Sequence, residues 1–121
     1  MNILVIDDEQ EIREMLAEYL DMMGHQVRMA ENGQDGLDII LSDGAGLDAV
    51  ILDNKMPLLS GQEVMDRLRT EAPNLPVVMI SGHSDLDGSD IHALGVRAFI
   101  EKPFSFVQVT DALSRIPGGG K

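Results

Sequence analysis

Two hydrophobic patterns take turns along the chain. Unbroken apolar runs occupy Ile3-Leu4-Val5-Ile6, Ala49-Val50-Ile51-Leu52 and Val77-Val78-Met79-Ile80, each bounded by turn or polar residues. Short runs without a polar break suit strands buried on both faces, as in a parallel sheet. Gln26 to Ala30 instead alternates polar and apolar residues, which predicts a strand with one exposed face near a sheet edge. Arg97-Ala98-Phe99-Ile100 predicts a short fifth strand.

Helical spacing fills the intervals. Ile12, Met15, Leu16, Tyr19, Leu20 and Met23 form an inward stripe that Gly24 stops. Asn32-Gly33 turns the chain into a shorter helix marked by Leu37, Ile40 and Leu41, and Ser42 to Gly46 reads as a loop. Ser60-Gly61-Gln62-Glu63 has capping-box spacing and opens a helix that turns Val64, Met65 and Leu68 inward before Pro73 and Pro76. Ser84 to Leu94 predicts a weak helix, because Gly88, Ser89 and two aspartates interrupt its apolar positions. A second capping box, Ser105 to Gln108, opens a last helix carrying Phe106, Val109, Leu113 and Ile116, which Pro117 breaks.

Strand and helix alternate five times, which implies an α/β fold with helices on both faces of a parallel sheet. The half-exposed second strand suits the edge of a doubly wound five-stranded sheet of order 2-1-3-4-5, the flavodoxin-like (βα)5 arrangement. Residues 1–117 are expected to form one domain, and 118–121 a flexible tail or the start of a linker. The first and third strands then meet at the switch point of that topology.

Composition narrows the function. The 121 residues are 44% hydrophobic, with no cysteine and no apolar run of membrane-spanning length, and nothing at Met1-Asn2 reads as a secretion signal. A cytoplasmic protein without thiol chemistry is expected. The net charge of −12 argues against direct nucleic-acid binding, and Tyr19, Phe99, Phe104 and Phe106 are too few to make a base-stacking platform.

The chemistry gathers at the strand ends, which deliver Asp7-Asp8, Asp53, Ser81 and Lys102 to one edge. Neighbouring strands lie about 4.8 Å apart, so acids on adjacent ends crowd together and need a counter-charge. A hard divalent cation supplies one. With an ammonium at Lys102 and a hydroxyl at Ser81, the group forms a cage for a phosphoryl group, with Asp53 as its nucleophile. Taken singly, Asp7-Asp8 would cap the first helix, Ser81 would be a turn residue, and Lys102 a surface lysine.

The motifs Val5-Ile6-Asp7-Asp8-Glu9, Leu52-Asp53-Asn54-Lys55-Met56-Pro57 with Ser60-Gly61, Ile80-Ser81-Gly82 and Glu101-Lys102-Pro103-Phe104 together resemble the receiver domain of bacterial two-component response regulators. The resemblance covers residues 2 to about 116. It implies that Asp53 accepts a phosphoryl group from a phosphohistidine on a sensor histidine kinase or a histidine phosphotransfer protein. It implies Mg²⁺ (or Mn²⁺) held by Asp8, Asp53 and the backbone carbonyl of Lys55, with Asp7 acting through water. It further implies a switch built on Ser81 and Phe99, an invariant role for Lys102, and a cis Lys102–Pro103 bond. The signal would leave through the face of the fourth helix, fifth strand and fifth helix, to an effector domain or protein or through a dimer formed on phosphorylation. Lys55 and His83 sit where such domains vary and are candidates for tuning the phosphorylated lifetime.

Three rivals share the architecture. A Mg²⁺-dependent aspartyl phosphatase needs a second acid two residues after the nucleophile, where this chain has Lys55. A flavin carrier needs aromatics near the switch point. A degenerate receiver, acting only as an interaction module, would lack acceptor residues that are all present here.

Overall fold

Five parallel strands form one sheet: β1 (Asn2–Ile6), β2 (Gln26–Ala30), β3 (Ala49–Asp53), β4 (Val77–Ser81) and β5 (Ala98–Glu101), in the order β2-β1-β3-β4-β5. The structure, a computed structural model, describes residues 1–54, 59–82 and 96–116. Strand order and parallel pairing follow the expectation from sequence. β3 and β4 are buried along their whole length, and β1 from Ile3 onward, as unbroken apolar runs require. In β2 only Ala30 is buried, consistent with its place at the edge.

Alternation along the strands creates two cores. Leu4, Ile6, Val50, Leu52, Val77 and Met79 face α2 (Gly33–Asp43) and α3 (Gly61–Glu71), which contribute Leu37, Ile40, Val64 and Leu68. Ile3, Val5, Ile51, Val78, Ile80 and Ile100 face the other way. There α1 (Gln10–Met22) supplies Leu16 and Leu20, and the C-terminal helix (Phe106–Ser114) supplies Val109 and Leu113. Full burial of one such aliphatic side chain stabilises by roughly 1.5–3 kcal/mol, so these layers hold the strand ends in register.

Local signals set the helix ends. Ser60 accepts from the Glu63 amide while Glu63 accepts from the Ser60 amide, and Ser105 and Gln108 repeat the arrangement. Gly24, at φ 92°, ends α1 where a side chain would be strained.

Three expectations need correction. Met15 and Met23 are exposed, so the buried stripe of α1 narrows to Leu16 and Leu20 with Ile12 and Tyr19 half-buried. Leu41 is also exposed, because α2 buries Gly33 and Gly36 along with Leu37 and Ile40. Ser42 belongs to α2, which runs to Asp43 before a 3-10 turn; its hydroxyl donates back to the Asp38 carbonyl. Asn32 is the N-cap of that helix, accepting from the Asp35 amide at 2.8 Å. The expected helix at 84–94, His83, Lys55 and the tail at 118–121 lie outside the described residues. Among the described residues no helix is long and apolar enough to cross a membrane.

Candidate functional site

Register decides which strand-end side chains meet. Ile6 pairs with Leu52, so the next residues, Asp7 and Asp53, leave β1 and β3 side by side. Both continue the alternation of Ile3, Val5 and Ile51, on the side of α1 and the C-terminal helix. Lys102 follows Ile100 on β5 in the same alternation. Its Nζ lies 3.2 Å from Asp53 Oδ1 and 3.5 Å from Glu9 Oε1. Oxygens of Asp7, Asp8, Glu9 and Asp53 all come within 4.8 Å of one another.

Asp7 and Asp53 are buried, whereas Asp8 and Glu9 are exposed. The Asp7 amide donates to the Ala30 carbonyl at 3.2 Å, and its Oδ1 accepts from the Glu9 amide at 2.9 Å. Its Oδ2 is buried with no hydrogen-bond partner among the described residues. Burial pushes the Asp7 carboxyl up from 3.8 to about 6; the Glu9 amide opposes that rise and the Asp53 charge adds to it. Burial alone would lower the Lys102 ammonium, but the Asp53 carboxylate beside it more than reverses this, so Lys102 is held above 10.5 and stays charged. Neither Asp7 nor Asp8 caps α1: Glu9 occupies the N-cap position without a side-chain capping bond.

The donor set fits a hard divalent ion. It consists of carboxylate oxygens only, two of them on buried groups, and buried Asp7 Oδ2 has no proton donor among the described residues. Asp8 and Asp53, with Asp7 behind them, are the residues that would hold it; the Lys55 carbonyl lies outside the described residues.

The two remaining predicted residues occupy the opposite face. Ser81 is fully buried and follows Val77 and Met79 in alternation, toward α2 and α3. Its Oγ lies 3.5 Å from the Gly82 carbonyl oxygen, and its own carbonyl accepts from the Lys102 amide at 2.8 Å. Phe99 pairs with Met79 on the neighbouring strand and packs, half-buried, against the same core. Ser81 and Phe99 therefore share a face one rung apart. The Lys102–Pro103 peptide is cis.

Three neighbours of the site carry no assignment from sequence. Glu9 shares the Lys102 ammonium; the run of three acids was its signal. Asn54 is buried beside Asp53, and the Gly61 amide donates to its carbonyl at 2.8 Å. A Cβ on Gly61 would stand 2.6 Å from Asn54 Cα, so glycine lets α3 start against the end of β3. Arg13 reaches back from α1 to the Asp7 carbonyl at 2.7 Å, which nothing in the helical pattern foretells.

Residues 3–114 match the family model of the response regulator receiver domain. The response regulator MprA of Mycolicibacterium vanbaalenii is 34% identical over 113 residues, 90% of this chain and 47% of that protein, so the chain spans about half the length of this relative. The sporulation initiation phosphotransferase F of Bacillus subtilis is 32% identical across 93% of this chain and 90% of its own length. Among solved structures, a response regulator receiver domain protein of Clostridium thermocellum superposes with a TM-score of 0.87 at 31% identity, covering 98% of this chain and 92% of that one. The response regulator TrrA of Thermotoga maritima, solved in complex with Mg(2+)-BeF, gives 0.85 at 32% identity, covering 95% and 97%. Fold, strand-end acids and sequence together make this chain a member of the response regulator receiver domain family.

Proposed function

We propose that this chain is a phospho-acceptor switch in which Asp53 is the phosphorylated residue. The observation that carries this reading is Asp53 itself: a buried carboxylate at a strand end, with the Lys102 ammonium 3.2 Å away and Asp7 beside it. One carboxylate oxygen of Asp53 attacks the phosphorus of a phosphohistidine on a sensor kinase or phosphotransfer protein. The P–N bond breaks, and the departing imidazole keeps the electron pair and takes up a proton. Lys102 then faces the new phosphoryl oxygens as a point charge. A Mg²⁺ or Mn²⁺ ion bound by Asp8 and Asp53, with Asp7 through water, would neutralise the crowded acids and the charge on those oxygens.

The output side of the proposal rests on Ser81 and Phe99. A phosphoryl group adds up to about two negative charges and three acceptor oxygens, and the Ser81 hydroxyl, at the end of the strand beside that of Asp53, would turn toward them. That turn would empty space on the face Ser81 shares with Phe99, drawing the ring inward and changing the surface that includes β5 and the C-terminal helix. The partners would be an effector domain or protein, or a second phosphorylated copy, acting in the cytoplasm. Lys55 and His83 are proposed to tune the lifetime of the acyl phosphate.

Incubation with acetyl phosphate and Mg²⁺ tests the reading. A single phosphoryl adduct on Asp53, absent from Asp53→Asn and from samples in EDTA, is expected. Sustained release of phosphate would instead favour an aspartyl phosphatase, and no adduct at all a degenerate receiver.

A further inference from the structure

Three of the four acids of the site sit in a short connection, Asp7–Glu9, between the end of β1 and the start of α1. Two hydrogen bonds hold the backbone of Asp7, one at its amide and one at its carbonyl. The Asp7 amide donates to the Ala30 carbonyl at 3.2 Å, and Arg13 Nη1 donates to the Asp7 carbonyl at 2.7 Å. The Asp7 carbonyl belongs to the same planar unit as the Asp8 amide. Fixing that plane therefore fixes the Cα from which Asp8, exposed and without core packing, leaves the chain and narrows its directions. A guanidinium suits the task, because its donors are set in a rigid charged fork. Arg13 also stands near the N-terminus of α1, where the helix dipole disfavours a cation, so helix stability does not account for its placement.

We propose that Arg13 is a positioning residue that aims the Asp7–Asp8 pair at the divalent ion, an inference that rests on the metal site proposed above. Charge alone argues for the opposite effect. A cation beside the acids repels a divalent ion, so deleting it should tighten binding. Positioning predicts weaker binding on deletion, and the sign of the change separates the two.

The experiment is calorimetric titration of Mg²⁺ into the wild-type chain, Arg13→Met and Arg13→Lys, with amide NMR spectra recorded in EDTA. Arg13→Met keeps the apolar stem and is expected to bind Mg²⁺ about tenfold more weakly, as loss of an outer-shell partner does. Arg13→Lys keeps the charge but not the fork, and should weaken binding by a smaller factor. In both variants the Asp8 and Glu9 amide signals should move before any metal is added. Affinity equal to or tighter than wild type in Arg13→Met overturns the inference. Should that variant not fold, unchanged affinity in Arg13→Lys overturns it equally. A wild-type chain that takes up no Mg²⁺ sinks the metal reading and this inference with it, whereas a wild-type chain that binds alongside unaffected variants sinks this inference alone.

Discussion

Asp7 is a group whose charge the fold tolerates poorly, and replacing it with asparagine should stabilise the metal-free chain. The carboxylate is 1% exposed, its Oδ2 has no hydrogen-bond partner among the described residues, and Asp53 stands beside it. These surroundings raise its pKa from 3.8 to about 6. A folded value above the unfolded one means that the native state binds more protons between pH 4 and 6. Stability is therefore lost as pH rises through that window, and the loss is complete above it. At 1.36 kcal/mol per pH unit, the burden on the wild-type chain near neutrality is about 3 kcal/mol. Asp7→Asn removes it while keeping an oxygen for the Glu9 amide. Urea unfolding in EDTA, followed by circular dichroism, should show the variant about 1–3 kcal/mol more stable at pH 7.5. The gap should shrink by roughly half at pH 5, where the wild-type carboxyl is largely protonated in the fold. Saturating Mg²⁺ should narrow or invert the order, since an ion at 100 times its Kd adds about 2.7 kcal/mol to whichever chain binds it. A variant no more stable than wild type at pH 7.5 in EDTA, or a gap that ignores pH, would refute the reasoning.

Other substitutions test the remaining contacts. Lys102→Met removes the ammonium beside Asp53 and should cost about 1.5–3 kcal/mol in EDTA through the lost charge-assisted bond; an unchanged urea midpoint would count against the pair. Gly33→Ala places a Cβ 2.2 Å from the Leu59 carbonyl oxygen, and Gly36→Ala places one 2.3 Å from the end of the Ile6 side chain. Overpacking of this kind typically costs about 1–3 kcal/mol, and Gly33→Ala should be the worse because backbone yields less than a rotamer; thermal melts giving the reverse order would contradict that. Ser60→Ala breaks the reciprocal cap of α3 and should cost about 1 kcal/mol, read as a lower urea midpoint with the slope unchanged.

What the sequence determined by itself was whatever follows from backbone periodicity. Parallel strands covered on both faces must be apolar throughout, so Ile3–Ile6, Ala49–Leu52 and Val77–Ile80 announced themselves, and the weaker alternation of β2 placed it at the edge. Caps are equally local: Ser60 with Glu63 and Ser105 with Gln108 act within one turn. The acids and Lys102 were legible as strand-end residues for the same reason.

Tertiary structure alone decided how those ends are shared out. Asp7 is buried and Asp8 exposed although their oxygens come within 4.8 Å of each other, a difference that two adjacent aspartates in the sequence do not reveal and that the packing around the end of β1 sets. Lys102 reaches Asp53 while Ser81 faces the other core because of register across β3, β4 and β5, which no single segment encodes. Met15, Met23 and Leu41 satisfied a helical stripe in sequence yet remain in solvent, since a stripe says which residues align and not how wide the surface covering them is. Arg13 is the clearest case, a polar helix residue whose 2.7 Å bond to the Asp7 carbonyl no apolar or capping pattern marks.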